Sequence, residues 1–377
     1  MKRPIRIWFM RTALSKRGGA EAVVTRLMLS LPKEEFLPVA VWLYWKGEYG
    51  EMLCKAGIST YSGLARSRWD VRLPIRLLRL ARQETPDLIM TTENALACFW
   101  AGVLKRLGQV PHLVLAFHTT RLVSRATYLA VRFTAPVCDR LVALTPSQQQ
   151  FWQAVSRMPL ERFAIIPNGI DIHAFVPTSD KVSLKRQLHL PEDKPVVGLV
   201  AYFKEVKNLP LFVEVAERLV QQGIDAHFVL VGDGPERPRI EQLITQKGLD
   251  SRFTLPGLCE TPLIWYQAFD ILLLTSYSEA LPLTILEAAA CEVPAVAADV
   301  GGVRDVIVEG VTGFIAPSGD VMRLADSVKQ LIESPPLRLQ MGHAARERVI
   351  RCFSSEVMAQ QYIELFRQIV QETAAKQ

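Results

Sequence analysis

Short runs of β-branched and apolar residues alternate along this chain with longer segments whose apolar positions recur at helical spacing. In the first half, residues 6–9, 39–43, 88–91, 113–117, 141–144 and 164–166 predict strands, and 20–31, 75–83 and 94–107 predict helices between them. Residues 167–195 contain prolines and follow neither period, which marks a junction between domains. The alternation then restarts. Residues 196–201, 227–232, 270–275 and 294–299 each read as a strand leading into a loop and a helix, the first helix beginning near Leu209. Uninterrupted apolar strands of this kind belong to parallel sheets covered on both faces. The last helix, 356 to about 372, has no strand after it. The expected fold class is α/β, with two Rossmann-like doubly wound domains facing each other across a cleft. The expected domains are 1–170 and 171–377, with the last helix packing back on the first, and ligands are expected outside the C-terminal ends of the strands.

Composition changes this picture only in part. The 377 residues, 49% hydrophobic and 22% charged, suit a globular protein large enough for two cores. Cys54, Cys98, Cys138, Cys259, Cys291 and Cys352 form no CxxC pair and read as small buried residues in a reducing compartment. Arg6 and Arg11 interrupt the apolar start, which makes a poor signal peptide, and no run of 18 apolar residues occurs. A soluble, cytoplasmic protein is the expectation. Net charge is +6, yet residues 1–176 carry +12 and the remainder −6. The first half therefore faces something anionic, or carries a solvated basic surface. It shows no nucleic-acid recognition motif, so a membrane surface is the expected anionic partner rather than nucleic acid.

Candidate chemistry concentrates in the second half. The segment SYSEALPLTILE (276–287) follows the apolar run DILLLT and opens a helix, with Pro282 suited to the first helical position. The amides of Leu283 and Thr284 would lie at the positive end of the helix dipole, a site for a diphosphate. Glu287 shares a face with Leu283 and could accept bonds from ribose hydroxyls, while Glu279, in the loop, could reach hydroxyls of a sugar. An N-cap carboxylate with a solvent-facing helix glutamate fits the same segment. Gly232 and Gly234, in LVGDGP (230–235), end a strand in a loop that permits close approach of a ligand. Lys204 and Lys207, in AYFKEVKN (201–208), could neutralise a leaving diphosphate, or stand in a solvated loop. Residues 299–317 add a Gly-Gly turn, a short helix and a further strand.

In this order and spacing the segments resemble the second domain of the GT-B glycosyltransferases of family GT4, whose E-x7-E motif matches Glu279 and Glu287. Gly18-Gly19-Ala20-Glu21 is similar to that family's glycine-rich loop, and Asn168-Gly169-Ile170-Asp171 to its interdomain motif. His118 closes a strand where such enzymes carry a histidine near the sugar. The resemblance covers about residues 5–366. It implies a retaining transfer from a nucleoside-diphosphate sugar, UDP by default, with the nucleotide held mainly by the second domain and a saccharide acceptor by the first. Carried over by position, Glu287 binds the ribose and the Leu283 and Thr284 amides hold phosphate. Lys204 and Lys207 stabilise the leaving group, the Gly18–Gly19 loop approaches the diphosphate, and Glu279 and His118 contact the transferred sugar. Where many relatives carry an Arg-Leu pair, this chain has Tyr202-Phe203, leaving Lys204 as the neighbouring cation. On the residues alone, His118 also fits a satisfied core histidine. The chain has no Asp-x-Asp pair, and His118 lacks the neighbours of a zinc site, so neither a metal nor a cofactor beyond the donor is expected. A nucleotide-sugar epimerase of the same architecture and a non-catalytic scaffold are the alternatives.

The basic excess is concentrated. Arg68, Arg72, Arg76 and Arg79 recur near helical spacing with Ile75, Leu77, Leu78 and Leu80 interleaved, and Arg121, Arg125 and Arg132 repeat the pattern. Trp42, Tyr44 and Trp45 read as interfacial aromatics. Such a surface suits peripheral attachment to anionic lipid on the cytoplasmic face of an inner membrane, and equally an amphipathic helix with a charged outer face. With the membrane reading, the acceptor is a lipid-linked saccharide of surface polysaccharide or lipopolysaccharide.

Overall fold

The computed structural model describes residues 3–12, 19–45, 47–67, 70–120 and 124–374. The chain forms two compact units: Met1–Gly169 with Ser355–Gln377, and Ile170–Ser354. Among the described residues no helix is long and apolar enough to cross a membrane.

The first unit holds seven strands: β1 (Ile5–Arg11), β2 (Phe36–Trp42), β3 (Ser59–Tyr61), β4 (Leu88–Thr92), β5 (His112–Ala116), β6 (Arg140–Ala143) and β7 (Phe163–Ile165). They form one parallel sheet in the order β3-β2-β1-β4-β5-β6-β7. Its central strands are wholly apolar or close to it because helices cover both faces. On one face Trp8 and Met10 pack with Leu77, Cys98, Ala101 and Val131 from three helices. On the other, the helix Gly19–Ser30 meets the C-terminal helix Ser355–Ala374. Arg367 of that helix binds Glu35 through two 2.6 Å contacts, and Phe366 packs edge-on against Phe36.

The second unit holds β8 (Val196–Val200), β9 (His227–Val231), β10 (Phe253–Gly257), β11 (Ile271–Leu274), β12 (Ala295–Ala298) and β13 (Gly313–Ala316), again all parallel, in the order β10-β9-β8-β11-β12-β13. Asp270, just before β11, ties the base of this sheet. It accepts from Lys185 Nζ (2.9 Å), Lys181 Nζ (3.2 Å) and the Val196 N–H that opens β8 (2.9 Å). Burial alone would push the Asp270 carboxyl up, but the two ammonium groups and the amide hold it below its ordinary value.

Three readings of the sequence change here. The junction 167–195 contains a helix, Lys181–Gln187, whose Lys185 ammonium is drawn inward to Asp270. The edge strands β3 (Ser-Thr-Tyr) and β10 (Phe-Thr-Leu-Pro-Gly) left no apolar run, since no position of either is fully buried. Trp42 lies fully buried on the last position of β2, so of the proposed interfacial aromatics only Trp45, 65% exposed, stands clear of the core.

Candidate active site

In the second unit the chain leaves β8 outward through β9 and β10, then returns to β11 and proceeds the other way. Ligands of such sheets bind outside the C-terminal ends of the strands at this reversal. After β8 the chain makes a tight turn, Glu205–Lys207, closed by Asn208 at φ +46°. The loop after β11 is laced to it. Tyr277 N–H donates to Val206 O (2.8 Å), and Thr275 Oγ1 donates to Lys207 O (3.2 Å). Lys207 Nζ then reaches Glu279 Oε1 at 2.7 Å, and Ser276 Oγ donates to the same oxygen at 2.7 Å. The Glu279 side chain is 11% exposed and that of Lys207 25%, so the pair is shielded without being sealed. Lys204 lies exposed, its ammonium 4.9 Å from the Tyr202 ring centre.

The helix following this loop runs Leu283–Ala290. Pro282 is its cap, at φ −73° and ψ 102°, rather than its first residue, because its carbonyl accepts the first helical bond from Ile285 N–H at 3.1 Å. That correction makes Leu283 and Thr284 the first two helical residues, whose amides precede the ladder. Glu287, one turn on, is held by a residue that sequence reading missed. Tyr266 Oη donates to Glu287 Oε2 at 2.7 Å and lies 3.0 Å from Thr284 Oγ1. Burial, and then the Glu287 charge, push the Tyr266 hydroxyl well above its ordinary pKa, so it stays a donor.

Gly232 and Gly234 each pack against the backbone of the loop after β8. A β-carbon on Gly232 would stand 1.8 Å from Ala201 O, and one on Gly234 2.4 Å from Phe203 O. The close approach these glycines permit is to the β8 loop, where Phe203 N–H donates to Asp233 O at 2.9 Å. They shape the loop that carries Lys204 and Lys207. Gly301, at φ +50°, plays the same part behind Glu279, whose carbonyl would lie 1.7 Å from an added β-carbon.

In the first unit the sheet reverses between β1 and β4. Gly19 opens the helix after β1, whereas Gly18 lies outside the described residues. Arg11, at the end of β1, contacts Glu21 at 3.3 Å and Ala20 O at 3.4 Å. Glu93 follows β4 and His118 follows β5, and Glu93 Oε1 accepts the His118 N–H at 3.0 Å. His118 as a residue is partly exposed, but both ring nitrogens are enclosed. Burial, helped by the Arg11 charge, holds its pKa down to about 3, so the imidazole is neutral at pH 7. Glu93 and Arg11 escaped sequence reading, although a glutamate closing the run LIMTT at a reversal point was the available signal.

Two family descriptions match the chain: Glycosyltransferase Family 4 over residues 17–174, and Glycosyl transferases group 1 over 180–348. N-acetyl-alpha-D-glucosaminyl L-malate synthase of Bacillus anthracis is 26% identical over 328 residues, spanning 84% of this chain and 83% of its own length. The lipopolysaccharide core biosynthesis glycosyltransferase LpsE of Rhizobium meliloti is 27% identical over 354 residues, spanning 93% and 96%. Among solved structures, Anabaena Alr3699/HepE in complex with UDP superposes with a TM-score of 0.83 at 20% identity, over 97% of this chain and 100% of its own.

Proposed function

This chain belongs to the family 4, group 1 glycosyltransferases with the GT-B fold, and from that membership we propose a retaining transfer of a hexose-type sugar from a nucleoside-diphosphate sugar to a lipid-linked saccharide. The observation that carries the proposal is the Lys207–Glu279 contact of 2.7 Å at the β8/β11 reversal, beside the start of the helix Leu283–Ala290. Breaking the bond between a sugar and a nucleoside diphosphate leaves negative charge on the departing phosphate. A fixed ammonium and a helix N-terminus stabilise that charge more than they stabilise the ground state. In this reading Lys207 and the Leu283 and Thr284 amides meet the diphosphate, with Lys204 as the outer cation and Gly19 approaching it. Glu287, oriented by Tyr266, binds the ribose, and Glu279 and His118 contact the transferred sugar. UDP is favoured, since the similar HepE structure contains it.

The test is thermal unfolding across UDP-, GDP- and ADP-sugars with EDTA present. A ligand at a hundred times its Kd adds about 2.7 kcal/mol, a readable rise in melting temperature. We expect that rise with one nucleotide family and its loss in Glu287→Ala. No rise with any of them would move the assignment to the non-catalytic scaffold.

A lipopolysaccharide acceptor is supported by the name of the Rhizobium relative. Attachment to anionic lipid is supported by Ile75, Arg79 and Arg82 on one face of the helix Leu73–Glu84, with Arg72 at its cap and Val71 just before it, all exposed, Val71 85% and Ile75 61%. Arg76 does not join this face, because it donates to Leu64 O (2.7 Å) and Asp70 Oδ2 (2.9 Å), and Arg132 donates to Ser156 O (2.9 Å). Arg68 and Arg121 lie outside the described residues. Each near-surface cation is worth about 1 kcal/mol on an anionic membrane. We therefore expect co-sedimentation with phosphatidylglycerol vesicles at low salt, weakened roughly fivefold per charge in Arg72→Ala and Arg79→Ala. Absence of binding at low salt would remove the membrane from the proposal.

A further inference from the structure

Glu93 is not part of the E-x7-E pair or of the glycine-rich loop, and yet it is among the most enclosed carboxylates in the first unit, 7% exposed. One of its oxygens is committed. Oε1 accepts the His118 amide at 3.0 Å. The same short segment is gripped from the opposite side, where Thr119 O accepts from Trp152 Nε1 at 2.7 Å and from Gln148 Nε2 at 3.0 Å. Gln148 is itself fixed, its Oε1 accepting the Leu144 N–H at 2.6 Å, and Trp152 is stacked 4.2 Å from Phe117. The turn 118–119 is thus clamped between a carboxylate at the end of β4 and two buried side chains of the helix Pro146–Ser156.

What the clamp presents is unsatisfied. Among the described residues, Glu93 Oε2 and both ring nitrogens of His118 are buried without a hydrogen-bond partner. Each such group costs free energy when nothing binds it, and three of them on two residues joined by a hydrogen bond point to a ligand. Their chemistry selects its class. A neutral imidazole offers one donor and one acceptor, and the Glu93 carboxylate adds an acceptor, with the Arg11 guanidinium near enough to act on both. Hydroxyl groups, which donate and accept at once, satisfy all three atoms.

We propose that Glu93 Oε2 and the His118 ring form a niche for neighbouring hydroxyls of the transferred sugar, with Glu93 both a sugar contact and the residue that positions His118. This rests on the donor reading above. It adds a carboxylate from the first unit to the determinants of which sugar is accepted.

The test uses the full chain and the variant Glu93→Gln, with Glu93→Asp as a second variant if the amide fails to fold. Calorimetric affinities are measured for UDP, UDP-glucose, UDP-galactose and UDP-N-acetylglucosamine, together with unliganded melting temperature and the His118 ring resonance. We expect at least one of these sugars, and not UDP alone, to move the His118 resonance of the wild type. Glu93→Gln should bind UDP within twofold of the wild type but that UDP-sugar about tenfold more weakly, as loss of a charged hydrogen bond predicts. Its melting temperature should equal or exceed that of the wild type, because a buried charge is removed. A lower melting temperature with unchanged sugar affinities would make Glu93 a purely structural residue and overturn the niche. So would a His118 resonance that none of the sugars moves. If the wild type bound neither UDP nor any UDP-sugar, UDP would fall as the donor nucleotide, and the niche for these sugars with it.

Discussion

Replacing Lys207 with alanine is expected to lower kcat by on the order of 10²–10³, a loss of about 3–4 kcal/mol of transition-state stabilisation. The size follows from placement. The Lys207 side chain is 25% exposed and is held by two loops that hydrogen-bond to each other through Tyr277 and Thr275, so little reorganisation is needed when charge develops on the leaving phosphate. Its partner, Glu279, also accepts from Ser276, and that second bond keeps the carboxylate in place when the ammonium also meets a phosphate. The loss should fall on kcat more than on KM, since the charge it answers is larger in the transition state than in the bound donor. Lys204→Ala should cost far less, because that ammonium is solvated and lies over the Tyr202 ring. Lys207→Arg should not rescue activity, as a planar fork does not reproduce a point charge at 2.7 Å from Glu279. Steady-state release of the nucleotide diphosphate measures all three. A larger effect at Lys204 than at Lys207 would reverse the assignment of inner and outer cation.

What the sequence disclosed and what it hid divide along physical lines. The strands β8, β9, β11 and β12 were legible because both faces of each are covered, leaving apolar runs too short for a helix and bounded by turn residues. The carboxylates at 279 and 287 were legible through spacing, because a strand, a loop and a helix start fix their separation along one segment. Tyr266 was not, because it reaches Glu287 from a different helix, 21 residues earlier. Glu93 was hidden for the same reason, meeting His118 only because β4 and β5 are neighbours in the sheet. The glycines at 232 and 234 suggest close approach to a ligand when read from the sequence alone. A glycine next to a ligand and a glycine next to a neighbouring carbonyl leave the same mark in a sequence, and the sheet order adds the carbonyls of Ala201 and Phe203 beside these two. Local chemistry was therefore visible, while chemistry assembled across strands required the sheet order.

The second large effect concerns the base of that same sheet. Asp270→Ala is expected to destabilise the second unit by about 3–5 kcal/mol, the cost of removing one member of a buried ion network. Lys185 is the reason. Its side chain is 7% exposed, its ammonium donates also to Lys194 O at 2.8 Å, and without Asp270 it would be a buried charge with no counterion. The Val196 N–H that opens β8 would lose its acceptor as well. In calorimetry the unfolding transition of this unit should fall by roughly 10 °C. Asp270→Asn, which keeps an acceptor for Val196 but not the charge, should fall between the alanine variant and the wild type. The double variant Asp270→Leu with Lys185→Met should recover much of the loss, because a well-packed apolar pair can replace a buried ion pair at little cost. A change below 1 kcal/mol in Asp270→Ala would mean that Lys185 swings out to solvent and that the network adds nothing. The site offers an internal control. Asp270 lies at the opposite end of β11 from Glu279, so a saturating donor should raise the melting temperature of Asp270→Ala by as much as it raises that of the wild type. A smaller rise would show that the base of β8 and β11 sets the geometry at their C-terminal ends as well as the stability of the sheet.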